Sequence, residues 1–410
     1  MEAGTTIHHG DGGNSVAIHG QCDAAFEPVR EAFACNFLKA GELGAAVAVE
    51  VDGRPVVDLW AGWADAARSR PWERNTVCIT FSNTKPATAL CAHILAEAGE
   101  LDLDCPVVRY WPEFAAAGKG DITARMLLNH TAGLPALREP LPADAAFDWD
   151  GMTGRLARAA PFWTPGSRVA YHGLTYGWLV GELVRRLGGA MPGEFFRRHV
   201  AQPLELDFWI GLPASEESRV APIVPAAAPQ PPLSPFERSL KEEPDSPTAL
   251  YARNTGGWRP AGFNSRAGHA AGLCAAGGIG NARSLARLYG ALASGGARDG
   301  VRLLREDTLN AATALSAQTD DDACLRVPTR YASGFMRQMD NRARGLDSAC
   351  FGAQAFGHTG AGGSLAYAWP QRRLAFAYTM NRLGRTVLLD DRAHGLVQAL
   401  HAAIGAQPPS

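Results

Sequence analysis

Ser82 and Lys85 stand three residues apart and form the first pair of side chains in the sequence that could do chemistry together. A serine hydroxyl becomes a good nucleophile only when a neighbouring base takes its proton, and a lysine can be that base only when its surroundings keep it neutral. Arginine cannot serve, because its pKa stays above about 12. The chain has only four lysines among 39 basic residues, so a lysine at this position suggests proton transfer.

The element that must hold this pair is a helix. Pro86 is tolerated only in a first helical turn, which places the start of a helix near Ser82. The pattern predicts that this helix runs to about Glu97, with Gly99 as its C-cap. Residues at i and i+3 share one helix face, and a helix start offers backbone N–H groups to an oxyanion. The pair alone leaves an alternative open, in which Ser82 is an N-cap and Lys85 is solvent-exposed.

Two later motifs, in their order along the chain, favour the catalytic interpretation of Ser82 and Lys85 over the N-cap alternative. Tyr171 comes shortly before a predicted helix, and a glycine-rich run near the C-terminus reads His358-Thr359-Gly360-Ala361-Gly362-Gly363-Ser364. Ser-x-x-Lys, then Tyr, then x-Thr-Gly resembles the ordered signature of the penicillin-recognising serine hydrolases. The chain is most similar to the class C β-lactamase-like superfamily, and within it to the family VIII carboxylesterases.

The resemblance covers nearly the whole chain. Its main blocks, in order, are FSNTKPATALCAHILAEAGELDLDCPVVRYWPEF, ITARMLLNHTAGLP, YHGLTYGWLVGELV, PLELDFWIGLP, AAGGIGNARSLARLYGAL and GHTGAGGSLAYAWPQRRLAFAYTMNR. It implies an α+β fold of the β-lactamase/transpeptidase type, in which an antiparallel sheet built from both chain ends is flanked by helices and carries an inserted, mainly helical lobe.

The resemblance also implies roles for individual residues. Ser82 would be the nucleophile that forms an acyl-enzyme, and Lys85 would accept or share its proton. Tyr171 would lie near both and relay protons, as base in acylation and as acid toward the leaving group. The backbone N–H groups of Ser82 and Ala361 would form the oxyanion hole, where losing one donor typically costs about 10²–10³ in rate. The predicted substrate-binding residues are His358, Thr359, Gly360, Gly362 and His172.

Two departures from the class C pattern point to the substrate class. The tyrosine motif Tyr-x-Asn is here Tyr171-His172-Gly173, and the lysine of Lys-Thr-Gly is replaced by His358. The first change removes an amide that would hold a β-lactam side chain, and the second removes a positive charge that would meet the β-lactam carboxylate. Both changes favour neutral esters over anionic β-lactams.

Other candidate residues can be explained by a structural role as well as by a functional one. His130 fits a turn held by hydrogen bonds better than a catalytic role, while His172 could either line the pocket or simply pack. Trp60 and Trp63 fit the core or a pocket wall. The sequence has no metal-ligand cluster and no phosphate-binding loop, so we expect neither a metal nor a cofactor.

The organisation of the chain follows from hydrophobic periodicity and turn residues. A helix from Phe26 and a hairpin around Asp52-Gly53 open the chain, and strands with a turn at Gln371-Arg372 precede the last helix. We expect an α/β lobe from residues 1–75 and 265–410 and a mainly helical lobe from 76–264. Within the second lobe, the proline-rich segment 213–264 is expected to form a lid or pocket wall.

Composition sets the outer limits on function. The 410 residues are 46% hydrophobic and 20% charged, with a formal net charge of −2, and no apolar run reaches the length of a membrane helix. We therefore expect no nucleic-acid or membrane partner. The first 23 residues lack the features of a signal peptide, so we expect a cytoplasmic protein whose eight cysteines are reduced. The oligomeric state stays open.

These observations lead to one expected activity and several alternatives. We expect a serine carboxylesterase that hydrolyses short- to medium-chain esters through an acyl-Ser82 intermediate, with weak β-lactam hydrolysis as a secondary expectation. The alternatives are an acyltransferase on the same scaffold, a β-lactamase or a peptidase for D-amino acids, and a non-catalytic protein that retains the fold.

Overall fold

A large antiparallel sheet is built from both ends of the chain, as the sequence predicts. The computed structural model describes residues 5–8, 15–229 and 231–405, so much of the N-terminal stretch considered for a leader, residues 1–4 and 9–14, lies outside the described residues. Within the described ranges the large sheet has ten strands in the order β1-β2-β4-β3-β15-β14-β13-β12-β11-β10. The predicted fold class is confirmed.

Four strands of this sheet come from the N-terminal part of the chain and six from the C-terminal part. They are β1 Thr5–His8, β2 Ser15–Cys22, β3 Gly44–Val51, β4 Arg54–Gly62, β10 Ala317–Thr319, β11 Thr329–Tyr331, β12 Met336–Arg337, β13 Phe356–Thr359, β14 Leu365–Trp369 and β15 Leu374–Met380. Two small sheets, formed by strands from the middle of the chain, comprise β5 Cys78–Ile79, β6 Phe208–Ile210, β7 Gly278–Gly280, β8 Ala297–Arg298 and β9 Val301–Arg302.

The two halves of the large sheet meet where β3 pairs with β15. The antiparallel register runs from Val51 opposite Leu374 to Ala45 opposite Met380. Because side chains alternate between the faces of a strand, Val47 and Val49 face one buried cluster, whereas Ala48 belongs to the other. The sheet is therefore covered on both faces, which explains the nearly continuous apolar sequence of β3.

Helices cover both faces of the sheet and fill the middle of the chain. They are α1 Glu27–Lys39, α2 Thr84–Glu97, α3 Ala124–Leu128, α4 Trp149–Arg158, α5 Thr175–Gly188, α6 Pro192–Phe196, α7 Pro235–Glu242, α8 Pro247–Arg253, α9 Pro260–Phe263, α10 Arg266–Ala270, α11 Ala282–Ala293, α12 Glu306–Thr313 and α13 Asp391–Ala403. Helices α1 and α13 pack on each other, and α11 packs on β3, β14 and β15.

Helix α2 is the buried centre of the helical region. Almost all of its residues are buried, and it packs against α5. It begins at Thr84 rather than at Ser82, and the Thr84 hydroxyl donates to the carbonyl of Phe81. Pro86 lies in the first turn, as the sequence predicts, and Gly99 follows the helix end with a φ of +79°.

The proline-rich segment 213–264 is more regular than its sequence suggests. Helices α7, α8 and α9 each begin at a proline, namely Pro235, Pro247 and Pro260. Proline suits the first helical position because the N–H that it lacks would have no partner within the helix. Helices α8 and α9, with seven and four residues, carry too few turns to show hydrophobic periodicity. The division of the chain into two lobes stays a prediction.

Three further observations bear on the expected absences. Within residues 5–8, 15–229 and 231–405, no helix has the length and apolar character needed to span a membrane. The same residues contain no group of His, Cys, Asp and Glu arranged to hold a metal ion. All eight cysteines are free thiols, and Cys35 is the one that is fully exposed.

Candidate active site

Ser82, Lys85 and Tyr171 meet at one point, although 89 residues separate the serine from the tyrosine. Ser82 Oγ accepts a hydrogen bond of 2.6 Å from the Tyr171 hydroxyl and lies 3.1 Å from Lys85 Nζ. The predicted trio is therefore within hydrogen-bond reach. The alternative reading fails on both counts, because the residue flanking α2 is Asn83 and Lys85 is 0% exposed.

A strained residue directs Ser82 towards the cavity. Phe81, directly before the serine, has a φ of +49°, in the left-handed region. For a bulky residue this conformation costs roughly 1–3 kcal/mol and persists only where the surroundings enforce it. The Phe81 ring packs edge-to-face on Phe263, with ring centroids 5.5 Å apart. The chain turns here from the end of β5 into α2, and Ser82 stands at the bend.

Lys85 lies in surroundings that disfavour a positive charge. Burial lowers the pKa of Lys85 well below its ordinary value of 10.5. Within the described part of the chain no carboxylate forms an ion pair with it, and its amino group instead donates to the carbonyls of Gly173 at 2.7 Å and Ala275 at 3.0 Å. A neutral amine has two N–H donors and one lone pair. The two carbonyls use both donors, so the lone pair faces Ser82.

The same contacts also suit the protonated lysine. An ammonium has three donors, and Gly173, Ala275 and Ser82 supply three oxygen acceptors around Nζ. Lys85 can therefore gain and lose a proton without moving. This property matches what a general base needs in a two-step reaction.

Tyr171 stays protonated in this environment. Burial raises the pKa of Tyr171 well above its ordinary value of 10, and the charge of Asp322 acts in the same direction. The phenol is therefore a hydrogen-bond donor to Ser82 and a proton source. Its ring stacks on Tyr331, with centroids 6.2 Å apart and planes inclined by 13°.

Asp322 is the residue near the site that the sequence gives no means of finding. Its buried carboxylate accepts hydrogen bonds from the backbone N–H groups of Tyr171 at 2.9 Å, Cys324 at 2.9 Å and Leu325 at 3.0 Å. It also accepts from the hydroxyls of Thr329 and Tyr331. Asp322 thus ties the backbone of Tyr171 to the ring that stacks on it.

The glycine-rich run 360–363 forms the wall opposite Ser82. Ala361 and Gly362 line the cavity together with Ser82 and Thr359. No hydrogen bond from the backbone N–H of Ser82 or Ala361 to another group is found among the described residues, which suits the predicted oxyanion hole. Glycine is required at 360, because a Cβ there would lie 2.1 Å from Ser364 Oγ.

A buried ion pair holds this run from behind. Arg392 on α13 donates to the carbonyl of Gly362 at 2.9 Å and to the carboxylate of Glu42 at 2.9 Å. The Arg392 side chain is 6% exposed and that of Glu42 is fully buried. The position of the glycine-rich run 360–363 thus depends on a contact between the two ends of the chain.

His358 is buried beside the trio but is not on the cavity wall. Its Nδ1 lies 2.7 Å from the carbonyl of Thr359, so Nδ1 carries the proton and Nε2 is an acceptor without a partner among the described residues. Burial and the nearby Lys85 lower the pKa of His358 to about 3. The ring is therefore neutral at physiological pH, unlike a lysine at the same position.

His172 and His130 form hydrogen bonds to backbone groups. His172 gives Nδ1 to the carbonyl of Ala170 and accepts from Leu134 N–H at Nε2, so no ring nitrogen remains for a substrate. Its predicted contact with substrate therefore finds no support. His130 has a φ of +67° and accepts from the backbone N–H of His172, which fits a turn held by hydrogen bonds.

The two tryptophans lie away from the cavity. Trp60 is a buried core residue of β4, whereas Trp63 is 38% exposed. Neither contributes to the wall around Ser82.

The unusual Gly173 has a steric reason. A Cβ at this position would lie 1.9 Å from the ring of Tyr251, which comes from α8. Tyr251 therefore occupies the space into which an asparagine at position 173 would project. Its ring lies edge-to-face on Tyr171, 6.3 Å between centroids, and forms part of the cavity wall.

The cavity at Ser82 has a volume of about 210 Å³. Besides Ser82, Tyr171 and the glycine-rich run, its walls carry polar Arg385 and Thr386 and a larger apolar set: Phe236, Leu325, Met336, Leu383 and Leu388. Phe236 and Tyr251 both belong to the segment 213–264, so that segment supplies part of the wall.

Comparison with known proteins gives consistent results. The Beta-lactamase family model matches residues 23–400. The chain is 37% identical over 397 residues to "Esterase/beta-lactamase LipL" of Mycobacterium tuberculosis, covering 94% of this chain and 87% of that protein. A crystal structure of a family VIII carboxylesterase is 36% identical, with a TM-score of 0.84 over 94% of this chain and 99% of that one. A penicillin-binding protein homologue from Caulobacter crescentus is 37% identical, with a TM-score of 0.83 and the same coverage.

Proposed function

The chain belongs to the Beta-lactamase family, and we propose that it is a serine carboxylesterase acting through an acyl-Ser82 intermediate. The observation that carries this proposal is the buried Lys85, whose nitrogen lies 3.1 Å from Ser82 Oγ and has no carboxylate partner among the described residues. A base that is neutral at rest can accept the serine proton at the moment of attack.

In acylation, Ser82 Oγ bonds to the ester carbonyl carbon while its proton passes to Lys85. The oxyanion accepts hydrogen bonds from the backbone N–H groups of Ser82 and Ala361, both of which line the cavity. The C–O bond to the alcohol then breaks, and Tyr171 gives its proton to the departing alkoxide. The proton held by Lys85 returns to Tyr171, which leaves an acyl-serine and a free alcohol.

Deacylation repeats these steps with water in place of the serine. Lys85 takes a proton from the water, and the water oxygen bonds to the acyl carbon. The Ser82 oxygen then leaves and takes that proton back from Lys85, which regenerates the free enzyme and releases the acid. Burial favours Lys85 as the base and Tyr171 as the acid, because it lowers the pKa of the lysine and raises that of the tyrosine. Three contacts that serve both protonation states of Lys85 support this assignment.

Esters suit the cavity better than anionic β-lactams. The ring of His358 is neutral, and the wall nearest Ser82 is largely apolar. Two similar proteins are a family VIII carboxylesterase and an esterase/beta-lactamase. The second name supports β-lactam hydrolysis as a lesser activity on the same serine.

The test is hydrolysis of p-nitrophenyl butyrate by the wild type and by Ser82→Ala. The proposal is falsified if Ser82→Ala retains full activity. Because Ser82 and Lys85 act as a unit, Lys85→Ala should lose about as much activity as Ser82→Ala, and the double variant should lose no more than either. Faster turnover of nitrocefin than of the ester would place β-lactam hydrolysis first. Transfer of the acyl group to an added alcohol in preference to water would favour the acyltransferase alternative.

Residence in the cytoplasm and action without cofactor stay predictions. A fluorophosphonate probe that labels the wild type but not Ser82→Ala would exclude the non-catalytic alternative.

A further inference from the structure

Two cavities meet at Phe236. The inner one, of about 210 Å³, contains Ser82 and Tyr171. The outer one, of about 650 Å³, lies between residues 231–238, residues 344–347 and the loop that precedes α13. The two cavities share four wall residues: Phe236, Arg385, Thr386 and Val387. The outer cavity is thus an extension of the catalytic one, separated from it by a narrow boundary.

Volume limits what the inner cavity can hold alone. A cavity of roughly 150 Å³ binds benzene, which has six heavy atoms, so about 210 Å³ accommodates roughly eight. Pockets for ordinary organic ligands measure about 300–1,000 Å³. The inner cavity falls below this range and the outer cavity falls within it. A substrate larger than a small ester must therefore pass beside Phe236.

The chemistry of the walls changes across this boundary. The inner wall is mainly apolar apart from Arg385, which lies on both walls. The outer wall adds Arg238 and Arg344 against Glu237 and Asp347. Glu237 is paired with Arg385 at 3.0 Å, and Asp347 accepts from the backbone N–H of Val387 at 2.7 Å. Positive charge is therefore in excess on the outer wall, which favours a negatively charged group there.

The boundary is held in place by several contacts. Ser234 and Glu237 form a capping box at the start of α7, which fixes the turn that carries Phe236. The Glu237–Arg385 ion pair links this turn to the loop before α13. The Phe236 ring also lies edge-to-face on Tyr251, 6.5 Å between centroids.

We propose that the outer cavity is a second substrate compartment and that Phe236 sets specificity at its entrance. The substrate class is an ester whose reacting end is small and apolar and whose far end is negatively charged. The small end lies at Ser82, the chain passes Phe236, and the charged end lies between Arg238 and Arg344. This proposal rests on the proposed esterase function and names the substrate class of the same site.

Three alkyl esters test the proposal in a pH-stat assay. Ethyl acetate fits within the inner cavity, whereas ethyl octanoate and monoethyl suberate have the same acyl length and differ in the far end. We expect the wild type to show a kcat/KM for monoethyl suberate at least fivefold above that for ethyl octanoate. Arg344→Glu should abolish this preference.

Phe236→Ala tests the boundary itself. Removing the ring should raise kcat/KM for ethyl octanoate relative to ethyl acetate by at least fivefold, with Phe236→Leu intermediate. Leu240→Ala is the matched control, because Leu240 lies on the same helix but on neither cavity wall, and it should leave the ratio unchanged.

Two results would overturn the proposal: an unchanged ratio in Phe236→Ala, or equal effects of Arg344→Glu on both long esters. If the wild type hydrolysed none of the esters and was not labelled by the fluorophosphonate probe, the proposed function itself would be refuted.

Discussion

Replacing Lys85 by methionine should change how the stability of the protein depends on pH. In the unfolded chain Lys85 binds a proton up to a pKa near 10.4. In the folded protein burial lowers the pKa of Lys85 well below 10.5, so the lysine is neutral over the upper part of that range. Methionine has a similar length and binds no proton in either state.

The sign and size follow from proton linkage. Between the folded pKa and about 10.4 the unfolded state binds one more proton than the folded state, so the free energy of unfolding rises with pH by about 1.4 kcal/mol per pH unit. Lys85→Met removes this contribution. For every 1.5 pH units between the folded pKa and about 10.4, the wild type should therefore gain about 2 kcal/mol relative to the variant. The two carbonyls left without a donor, Gly173 and Ala275, shift the variant's stability by an amount that does not depend on pH.

Urea unfolding of both proteins at pH 8.0, 8.5, 9.0 and 9.5 measures this difference. Lys241→Met is the control, because Lys241 is an exposed residue of α7, and its curve should run parallel to that of the wild type. Parallel curves for the wild type and Lys85→Met would show that the folded protein keeps Lys85 protonated. Such a lysine could not take the serine proton, and the proposed mechanism would be wrong.

Three further substitutions probe the supports around the site. Asp322→Asn should lower the free energy of unfolding by about 1–3 kcal/mol and reduce kcat, because an NH2 group replaces the oxygen that accepts from the hydroxyls of Thr329 and Tyr331. Asp320→Asn, on the exposed part of the same loop, should change neither quantity in urea unfolding and steady-state assays. Gly173→Asn should destabilise the protein by about 1–3 kcal/mol through overpacking against Tyr251, and a second change, Tyr251→Ala, should recover part of that loss in the melting temperature. Arg392→Met leaves the buried Glu42 carboxylate without its arginine partner, so it should lower the free energy of unfolding by about 3–5 kcal/mol and slow fluorophosphonate labelling. Unchanged labelling would show that the position of the glycine-rich run does not depend on Arg392.

The meeting of Ser82, Lys85 and Tyr171 is predictable from the sequence because their order along the chain carries the signal. Ser82, Lys85 and Tyr171 lie in motifs with a fixed succession, and the structure brings all three within hydrogen-bond reach. The centre of the sheet is predictable because β3, β4, β14 and β15 are apolar and bounded by clear turns, whereas the short strands β10, β11 and β12 show no such pattern. The start of α2 was misplaced by two residues, because Ser82 contacts Tyr171 instead of capping the helix.

The supports of the site are harder to find in the sequence. Asp322 is the last of three adjacent aspartates, a pattern typical of a solvated loop, and its role depends on a fold that places Tyr171 N–H beside it. Tyr251 lies in a segment without periodicity, yet its ring explains why position 173 is a glycine. Both depend on contacts between distant parts of the chain, and a single sequence does not display such contacts.

The pairing of β3 with β15 has a consequence for folding of the chain during its synthesis on the ribosome. The edge of β3 that accepts β15 is complete once Val51 has emerged, but its partner begins at Leu374. At about 5–20 residues per second, the intervening chain of roughly 320 residues takes about 16–65 s to synthesise. During that time an apolar strand has an unpaired edge, the kind of surface that recruits other chains. A protein whose β3–β4 hairpin waits for its last strand should therefore depend on chaperones, and expression at lower temperature or with added chaperones should raise its soluble yield.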